Sequence, residues 1–333
     1  MKKKIFITGG SGFIGSHLVE KCVNLGYTVK TLVPYNVDNS FGWIDHFDKK
    51  IKDNLEVILG DVCDNNLFKK ETRNVDVIFH LAALISIPYS YKSPKSYIST
   101  NINGTLNGLE AARDNNVSLF VNTSTSEVYG SAQYVPIDEK HPLNAQSPYA
   151  ASKIAADQLS LSYYRSFGLP VTIMRPFNTF GPRQSQRAAI PAIINQIISG
   201  KKEIKLGNLN AYRDFTYVDD TVNGYIKLIE NKKSIGEIIN LGTGSSFSIK
   251  ETLSFICKIL NKKVEVKVDQ KRLRPKKSEV NKLLSKNTKA KKILKWKPKF
   301  IGKSGFFNGL KKTIEWSKQN EDLLKNQSDS YNV

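Results

Sequence analysis

The chain has 333 residues, of which 40% are hydrophobic and 24% charged, enough for a sizeable core and most consistent with two domains. The net charge of +20 first suggests a nucleic-acid partner, but the excess is mostly lysine spread along the chain with little aromatic interleaving. We therefore expect no nucleic-acid partner and interpret the charge as a solvated surface that also suits an anionic substrate.

The chain opens with a pattern of strand, glycine turn, helix and strand over KKIFITGGSGFIGSHLVEKCVNLGYTVKTLV. Gly9, Gly12 and Gly15 follow the first apolar run in the spacing G-x-x-G-x-x-G. Glycines at these points permit a tight turn and let a pyrophosphate approach the N–H groups that begin the helix. The pattern therefore predicts a dinucleotide site.

The same N-terminus bears on localisation. MKKKIFI is similar to the start of a signal peptide, but glycines interrupt its apolar run. No stretch is long enough to span a bilayer, so we predict a cytoplasmic protein without a membrane partner.

Cys22, Cys63 and Cys257 lack metal-site spacing and His80 lies in an apolar strand, so we expect neither a metal nor a disulfide.

Strands alternate with helices as far as about residue 175, which predicts an α/β fold with a doubly wound parallel sheet of the Rossmann type. Residues 183–212 leave this pattern with the helix AAIPAIINQIIS, and residues 214–243 are expected to rejoin the sheet through FTYV and EIINLG. A smaller lobe with the helix IKETLSFICKIL and the strand KVEVKV follows. The main predicted strands are KIFIT, TVKTLV, LEVIL, DVIFHLA, LFVNTST and PVTIMRPF.

These elements predict two lobes and a tail. The dinucleotide-binding domain is expected over residues 1–177 plus about 214–243. The smaller C-terminal substrate-binding lobe is expected over about 178–213 plus 244–320, and the polar tail 321–333 should fray. The substrate should lie between the lobes, at the carboxyl ends of the strands.

Tyr149 and Lys153 lie four residues apart in a predicted helix and therefore share one face. Ser147 and Pro148 are typical of a helix N-cap and first position, and Gly168 of a C-terminal stop. An ammonium beside a phenol favours the phenolate, so we expect Lys153 to lower the pKa of Tyr149 and make it a base near neutral pH. Such a base can deprotonate a sugar hydroxyl while a nicotinamide accepts hydride from the same carbon.

Taken together, the motifs resemble the extended short-chain dehydrogenase/reductase family, in its nucleotide-sugar branch, over nearly the whole chain. The resemblance implies a nicotinamide dinucleotide cofactor and a nucleotide-sugar substrate, which would make the smaller lobe the nucleotide-sugar-binding one. It rests on TGGSGFIG at 8–15, GDV at 60–62, HLAAL at 80–84, STSEVYG at 124–130, YAASK at 149–153, RPFNTFGPRQ at 175–184, RDFTYVDD at 213–220 and LKWKP at 294–298.

The resemblance also implies roles for single residues. Thr125 would bind the sugar O4, Tyr149 would be the base and Lys153 would hold the nicotinamide ribose, while Asp61 and Val62 would contact the adenine. The other residues assigned to the cofactor site are Gly9, Gly12, Phe13, Ile14, Gly15, Leu81, Ala82 and Ala83. The other residues assigned to the sugar nucleotide are Ser86, Ser90, Asn178, Arg183, Arg213 and Arg274.

Arginine is better suited than lysine to bidentate phosphate contact because its guanidinium is a planar fork. We infer that Arg213 and Arg274 clamp the diphosphate, with Arg183 a weaker candidate. Packing or a surface ion pair is the alternative for Arg183 and Arg187.

The triplet Thr125-Ser126-Glu127 bears on the reaction. A hexose 4,6-dehydratase oxidises C4, eliminates water across C5 and C6 and returns the hydride to C6; oxidation acidifies the C5 hydrogen, and Glu127 is the carboxylate available to remove it. Glucose-type dehydratases have Asp where this chain has Ser126, and the Thr-Ser-Glu form resembles the GDP-mannose 4,6-dehydratases. Glu127, Tyr149 or a water held by Ser126 would then protonate the C6 hydroxyl.

Other reactions stay open at this point. Nucleotide-sugar 4-epimerases need the Tyr, Lys and Thr but have no use for the carboxylate, and UDP-glucuronate decarboxylases share STSEVYG but need a cation for the substrate carboxylate. A non-catalytic NAD-binding protein would not need Tyr149, Lys153 and Thr125 together. We favour the dehydratase.

The wider pattern is similar to dehydratases of legionaminic-acid-type pathways, which act on GDP- or UDP-linked N-acetylglucosamine, and Tyr149 argues for retention at C5. For the cofactor, Val33 and Pro34 stand where a ribose-binding acid is expected, and no arginine is present there for a 2′-phosphate. We therefore predict NAD, without excluding NADP.

The resemblance also implies a homodimer. In it, the helix over residues 149–167 and the helix containing residues 101–112 of each copy form a four-helix bundle.

Overall fold

A parallel sheet of seven strands organises the structure, a computed structural model that describes residues 2–325. Most of its strands are runs of buried apolar residues, as expected where helices cover both faces of a sheet. All strands of the chain, in order, are β1 Lys4–Thr8, β2 Thr28–Val33, β3 Leu55–Leu59, β4 Val77–His80, β5 Leu119–Thr123, β6 Val171–Pro176, β7 Thr179–Phe180, β8 Glu203–Leu206, β9 Tyr212–Asp214, β10 Thr216–Tyr217, β11 Ile238–Leu241, β12 Ser246–Ser248 and β13 Glu265–Val268.

The sheet order is β11-β6-β5-β4-β1-β2-β3, with every neighbouring pair parallel. Ile5 of β1 pairs with Val29 on one side and Val77 on the other, so the order reverses direction at β1. A crevice opens at such a reversal, outside the carboxyl ends of the strands, and ligands of open α/β sheets bind there. The predicted Rossmann-type α/β fold is confirmed.

Helices cover both faces of the sheet. α1 and α9 pack together over one face, while α3, α6 and α7 pack over the other. A π-helical turn, Ile98–Asn103, leads directly into α6. The helices are α1 Phe13–Asn24, α2 Lys49–Lys52, α3 Asn65–Glu71, α4 Ile87–Lys92, α5 Pro94–Tyr97, α6 Gly104–Asp114, α7 Pro148–Phe167, α8 Ala189–Ile198, α9 Val218–Ile226, α10 Ile249–Leu260, α11 Thr288–Leu294, α12 Gly302–Gln319 and α13 Glu321–Lys325.

Three two-stranded sheets lie outside the main one: β7 with β10, β9 with β12, and β8 with β13. The expectation that FTYV rejoins the main sheet was therefore wrong, because Thr216 and Tyr217 pair with Thr179 and Phe180 instead. The segment EIINLG does rejoin it, since Ile238 pairs with Ile173 of β6. The exact division into two lobes stays a prediction.

Two further expectations concern the C-terminal tail and membrane-spanning helices. The first five residues of the predicted tail form α13, whereas residues 326–333 lie outside the described part. Within residues 2–325, every helix is too short or too polar to cross a bilayer.

Candidate active site

The glycine turn after β1 is shaped to receive a ligand. Gly9 has φ +75°, and a Cβ on Gly15 would lie 2.1 Å from the Gly9 carbonyl oxygen, so a side chain at Gly15 would close the turn. Gly12 caps α1 without a side-chain hydrogen bond, which leaves the positive end of the helix available to an anion. These residues fit the pyrophosphate of a dinucleotide.

Thr8 joins this turn to the end of β4. Its hydroxyl oxygen accepts hydrogen bonds from the backbone N–H groups of Leu81 (3.2 Å) and Ala82 (3.1 Å). Ala82 therefore lies against Gly9, where an added Cβ would come within 2.9 Å of its nitrogen. The predicted cofactor residues of the two motifs thus share one edge of the sheet.

Asp61 and Val62 follow β3, the outer strand on the same side of the crevice. Asp61 accepts a hydrogen bond from the Cys63 N–H at 2.9 Å, which shapes a turn, and Val62 is buried. Both lie beyond the carboxyl end of the strand, where the adenine of a bound dinucleotide is expected.

Tyr149 and Lys153 occupy the first turns of α7. Ser147 caps this helix by accepting a hydrogen bond from the Ala150 N–H at 3.1 Å, and Gly168 ends it in the left-handed conformation, both as predicted. The two catalytic candidates are buried, with 7% and 3% of their surface exposed.

The expectation that Lys153 lowers the pKa of Tyr149 was wrong for the protein chain itself. Burial raises the pKa of Tyr149 above its ordinary value, because the phenolate loses its water, and a hydrogen bond with Thr125 only partly opposes this. Burial likewise lowers the pKa of Lys153 to about 8, with the Asp157 carboxylate opposing. Both shifts favour the uncharged forms, so a bound cationic group would be needed to favour the phenolate.

A buried ion pair between Arg175 of β6 and Asp157 of α7 holds the catalytic helix against the sheet. Arg175 donates to the Asp157 carboxylate through Nε at 3.1 Å and Nη2 at 2.9 Å, and Ser124 donates to the same oxygen at 2.8 Å. Asn122 donates to the other oxygen at 3.0 Å. Asp157 lies one turn after Lys153, so this network connects β5 and β6 to the catalytic helix.

The turn after β5 carries the triplet. Thr125 caps a short 3₁₀ helix, Ser126–Tyr129, and accepts a hydrogen bond from the Glu127 N–H at 3.2 Å. Ser126 is buried, whereas the Glu127 side chain keeps 12% of its surface exposed. Glu127 is close enough to Tyr149 for its charge to raise the pKa of the phenol. The structure therefore brings Thr125, Glu127 and Tyr149 together.

Two of the three predicted phosphate-binding arginines also reach this point. Nη1 of Arg274 lies 3.3 Å from Oε2 of Glu127, and Nη2 of Arg213 lies 3.7 Å from Oε1 of Glu279. Burial alone would lower the pKa of Arg274, but the Glu127 and Glu279 carboxylates raise it above its usual value. Burial lowers the pKa of Arg213, with Glu127 opposing.

A cleft of about 760 Å³ is lined in part by Arg274 and Glu279. Its size is in the range of small-molecule sites. Leu273 contributes exposed apolar surface and Asn208 and Asn210 contribute amides. The lining residues are Gly207, Asn208, Leu209, Asn210, Lys250, Val268, Leu273, Arg274, Lys276, Glu279 and Asn281.

The remaining predicted substrate residues differ in placement. Asn178 has a buried amide oxygen without a partner among the described residues, as expected of a group that meets a ligand. Arg183 instead pairs with Glu20 of α1 at 2.9 Å, away from the other two arginines. Ser86 accepts a hydrogen bond from the Tyr97 hydroxyl through its backbone oxygen, and Ser90 is fully buried with its hydroxyl bonded to Ile87. Of the predicted substrate residues, Arg274 lines the cleft, whereas the lining does not include Ser86, Ser90, Thr125, Asn178, Arg183 or Arg213.

The three cysteines are free thiols. Among residues 2–325, no cluster of three or more His, Cys, Asp or Glu side chains is arranged to hold a metal ion. His80 packs on Phe120 with Nδ1 2.9 Å from the Thr8 hydroxyl, and burial lowers its pKa to about 3. It is therefore a neutral packed side chain.

The family model described as GDP-mannose 4,6 dehydratase matches residues 6–312, nearly the whole described chain. The chain belongs to the extended short-chain dehydrogenase/reductase family of nucleotide-sugar enzymes. This family includes dehydratases, epimerases and decarboxylases, and the family assignment does not by itself separate the three reactions.

Relatives of this nucleotide-sugar enzyme carry out each of these reactions. A dTDP-D-glucose 4,6-dehydratase from Homo sapiens is 32% identical, over 97% of this chain and 92% of that protein. A UDP-N-acetyl-alpha-D-glucosaminuronate decarboxylase from Bacillus cytotoxicus is 33% identical, over 97% of this chain and all of that protein. The UDP-glucuronic acid 4-epimerase from Bacillus cereus, solved with UDP-glucuronic acid and NAD, is 28% identical, with a TM-score of 0.84 over 95% of this chain and 99% of that one. The presence of NAD there is consistent with the predicted cofactor.

Three residues of this nucleotide-sugar enzyme were missed by sequence reasoning. Asp157 extends the Tyr149 and Lys153 spacing by four more residues on the same helix, a signal that was available. Glu279 lies in the quoted segment RLRPKKSEV but was given no role. Tyr97, whose ring centroid lies 6.2 Å from that of Tyr149, carried no recognisable signal.

Proposed function

We propose that the chain is a nucleotide-sugar 4,6-dehydratase that converts GDP- or UDP-N-acetylglucosamine to the 4-keto-6-deoxy sugar with retention at C5. The observation that carries the proposal is Glu127, a partly exposed carboxylate beside both Tyr149 and Thr125. An enzyme that only oxidises and reduces C4 has no use for a second base at this point. The substrate's base and sugar rest on the sequence resemblance.

The proposed cofactor is NAD, which when bound would supply a hydride acceptor for C4 oxidation and a hydride donor for C6. Gly9, Gly12 and Gly15, with Phe13 and Ile14, would hold its pyrophosphate at the start of α1. Asp61 and Val62 would contact the adenine. The residues Leu81, Ala82, Ala83, Tyr149 and Lys153 would line the nicotinamide riboside.

The chain's own groups would then act in order. The phenolic oxygen of Tyr149 removes the O4 proton while Thr125 orients that hydroxyl. The Glu127 carboxylate removes the C5 proton, which the new C4 ketone has acidified. The C6 hydroxyl takes a proton from Glu127, from Tyr149 or from a water held by Ser126, and it leaves as water when the C5–C6 double bond forms. Arg213, Arg274 and Asn178 would hold the diphosphate, because a bidentate guanidinium fixes its position as well as its charge.

A decarboxylase is the second candidate, and a specific observation favours it. Arg274 lies within 3.3 Å of Glu127, so a cation is present near the site for a substrate carboxylate. Such an enzyme would act on a nucleotide glucuronate and release carbon dioxide. The test below includes that substrate.

The test is a screen of GDP- and UDP-sugars in heavy water, with products identified by NMR. We expect a 4-keto-6-deoxy product from an N-acetylglucosamine nucleotide, carrying one solvent deuterium at C5. The label is expected because Glu127 would exchange its proton with solvent before C5 is reprotonated. A C4 epimer without label would instead identify an epimerase, and carbon dioxide from a nucleotide glucuronate a decarboxylase. Either result contradicts the proposal.

We also infer a homodimer built on α7 and the segment that leads into α6. Ile98 at its start is 52% exposed, and α7 presents an outer face formed by Ala151, Ile154, Ala155, Leu159 and Ser162. Burying such a face against a second copy would remove apolar surface from water. Light scattering at micromolar protein is expected to give the mass of a dimer, and a monomer mass would contradict the inference.

A further inference from the structure

Four charged side chains lie close together beside the catalytic turn, and two of them, Arg274 and Glu279, also line the cleft. Arg274 pairs with Glu127 at 3.3 Å and Arg213 with Glu279 at 3.7 Å. Each of the four keeps no more than 21% of its side chain exposed, so water screens these pairs only partly. The proposed C5 base is therefore held by one of the proposed diphosphate ligands.

Arg274 meets Glu127 through one donor nitrogen, Nη1 at 3.3 Å. A phosphate bound bidentately by both terminal nitrogens of this guanidinium would need Nη1 as well as Nη2. A diphosphate brings more negative charge than a single carboxylate and would draw Arg274 away from Glu127. Glu127 would then lose its ion-pair partner and become free to accept a proton.

We propose that Glu127 and the substrate's diphosphate compete for Arg274, so that nucleotide binding itself releases the base. The role of Glu127 as base rests on the proposed function, whereas the competition does not. The ion pair would keep the carboxylate occupied until a nucleotide sugar is in place. Arg274 thereby acts as the residue that couples binding to proton removal.

The chain around Arg274 is anchored in a way that suits this exchange. Ser278 donates to the Gln146 backbone oxygen at 2.5 Å and shares a hydrogen bond with the Tyr91 hydroxyl at 2.5 Å. Gln146 donates in return to the Lys277 backbone oxygen at 2.7 Å. With the backbone held nearby, rotation of the Arg274 side chain is enough to pass from Glu127 to a ligand in the cleft, which Arg274 also lines.

Binding of free nucleoside diphosphates tests the proposal without any turnover. Calorimetry on the NAD-loaded protein would measure the affinities of UDP and GDP for wild type, Glu127→Gln, Arg274→Ala and the double variant. We expect Glu127→Gln to raise the affinity for whichever of UDP and GDP binds more tightly, by about tenfold. This is the scale of one hydrogen bond to a charged group. Arg274→Ala should lower the affinity for that nucleotide. Adding Glu127→Gln to Arg274→Ala should not change the affinity further.

Comparing the two single variants with the double variant separates competition for Arg274 from charge repulsion between Glu127 and the nucleotide. If Glu127→Gln tightens binding equally with and without Arg274, the carboxylate acts on the ligand at long range and the proposal is wrong. Unchanged affinity in Glu127→Gln would contradict it as well. Glu56→Gln removes the same charge at the far edge of the sheet and should leave affinity unchanged. Arg274→Met, which keeps the apolar stem, replaces Arg274→Ala if the latter does not fold.

The outcome is independent of the reaction that the enzyme catalyses. Suppose that Glu127→Gln raises nucleotide affinity only when Arg274 is present, and that the wild type makes no 4-keto-6-deoxy product. That result would support the competition and reject the dehydratase. A dehydratase whose nucleotide affinity is insensitive to Glu127 would do the reverse.

Discussion

Replacing Tyr149 with phenylalanine is expected to lower the rate of C4 oxidation by ~10²–10⁴-fold, the usual contribution of a general base. The variant keeps the ring that packs edge-on against Tyr97 and removes only the oxygen that meets Thr125. Nucleotide-sugar binding should therefore survive. The measurement is the absorbance of reduced nicotinamide in a single turnover, with affinity measured separately by calorimetry.

The control for this variant is Tyr217→Phe. Tyr217 is also buried, in β10, but it packs among Phe180 and Phe300 away from the cleft. It should keep the wild-type rate of oxidation. Near-wild-type turnover by Tyr149→Phe would show that another group removes the O4 proton.

The pKa shifts add a pH dependence to this assignment. Since burial raises the pKa of Tyr149 and lowers that of Lys153 to about 8, the protein chain alone favours a neutral phenol and, above pH 8, a neutral amine. The phenolate needs compensation from positive charge, which a bound oxidised nicotinamide would supply and which Lys153 supplies below about pH 8, where its amine is protonated. The spacing of Tyr149 and Lys153 was visible in the sequence, but their burial was not, and burial decides the direction of both shifts.

Most of the main sheet could be predicted because its strands are short apolar runs bounded by turns. KIFIT, TVKTLV and LEVIL coincide with β1, β2 and β3. FTYV could not be placed, because the same apolar pattern serves a strand in the main sheet and the two-residue strand β10 equally well. The pairing partner of such a segment is set by tertiary packing.

The candidate site was predictable where its residues are close in sequence. Thr125 and Glu127 share one turn, and Tyr149 and Lys153 share one helix face. The pair of Glu127 with Arg274 joins positions 147 apart, so only the fold shows that the proposed base and the proposed diphosphate ligand touch. Ser90 illustrates the opposite error, since a motif position does not reveal that the hydroxyl is turned into its own helix.

The last prediction tests the elimination step directly. Glu127→Gln keeps the shape of the side chain but removes its basicity, while Tyr149 and Thr125 stay in place. We therefore expect C4 oxidation to proceed and a 4-keto-hexose to build up, with water elimination slowed by ~10²-fold or more. Rapid-quench sampling with mass spectrometry would follow both species.

The matched control is Glu279→Gln, which removes the other carboxylate of the same cluster. Glu279 pairs with Arg213 at 3.7 Å rather than facing the catalytic turn, so this variant should alter nucleotide affinity without making the 4-keto-hexose build up. If Glu127→Gln eliminates water at the wild-type rate, Glu127 is not the base for C5, and Tyr149 would be the remaining buried acid/base group beside Thr125. If both variants accumulate the 4-keto-hexose, the block reflects disturbed arginines rather than a missing base. Accumulation in Glu127→Gln alone assigns proton removal from C5 to that one carboxylate.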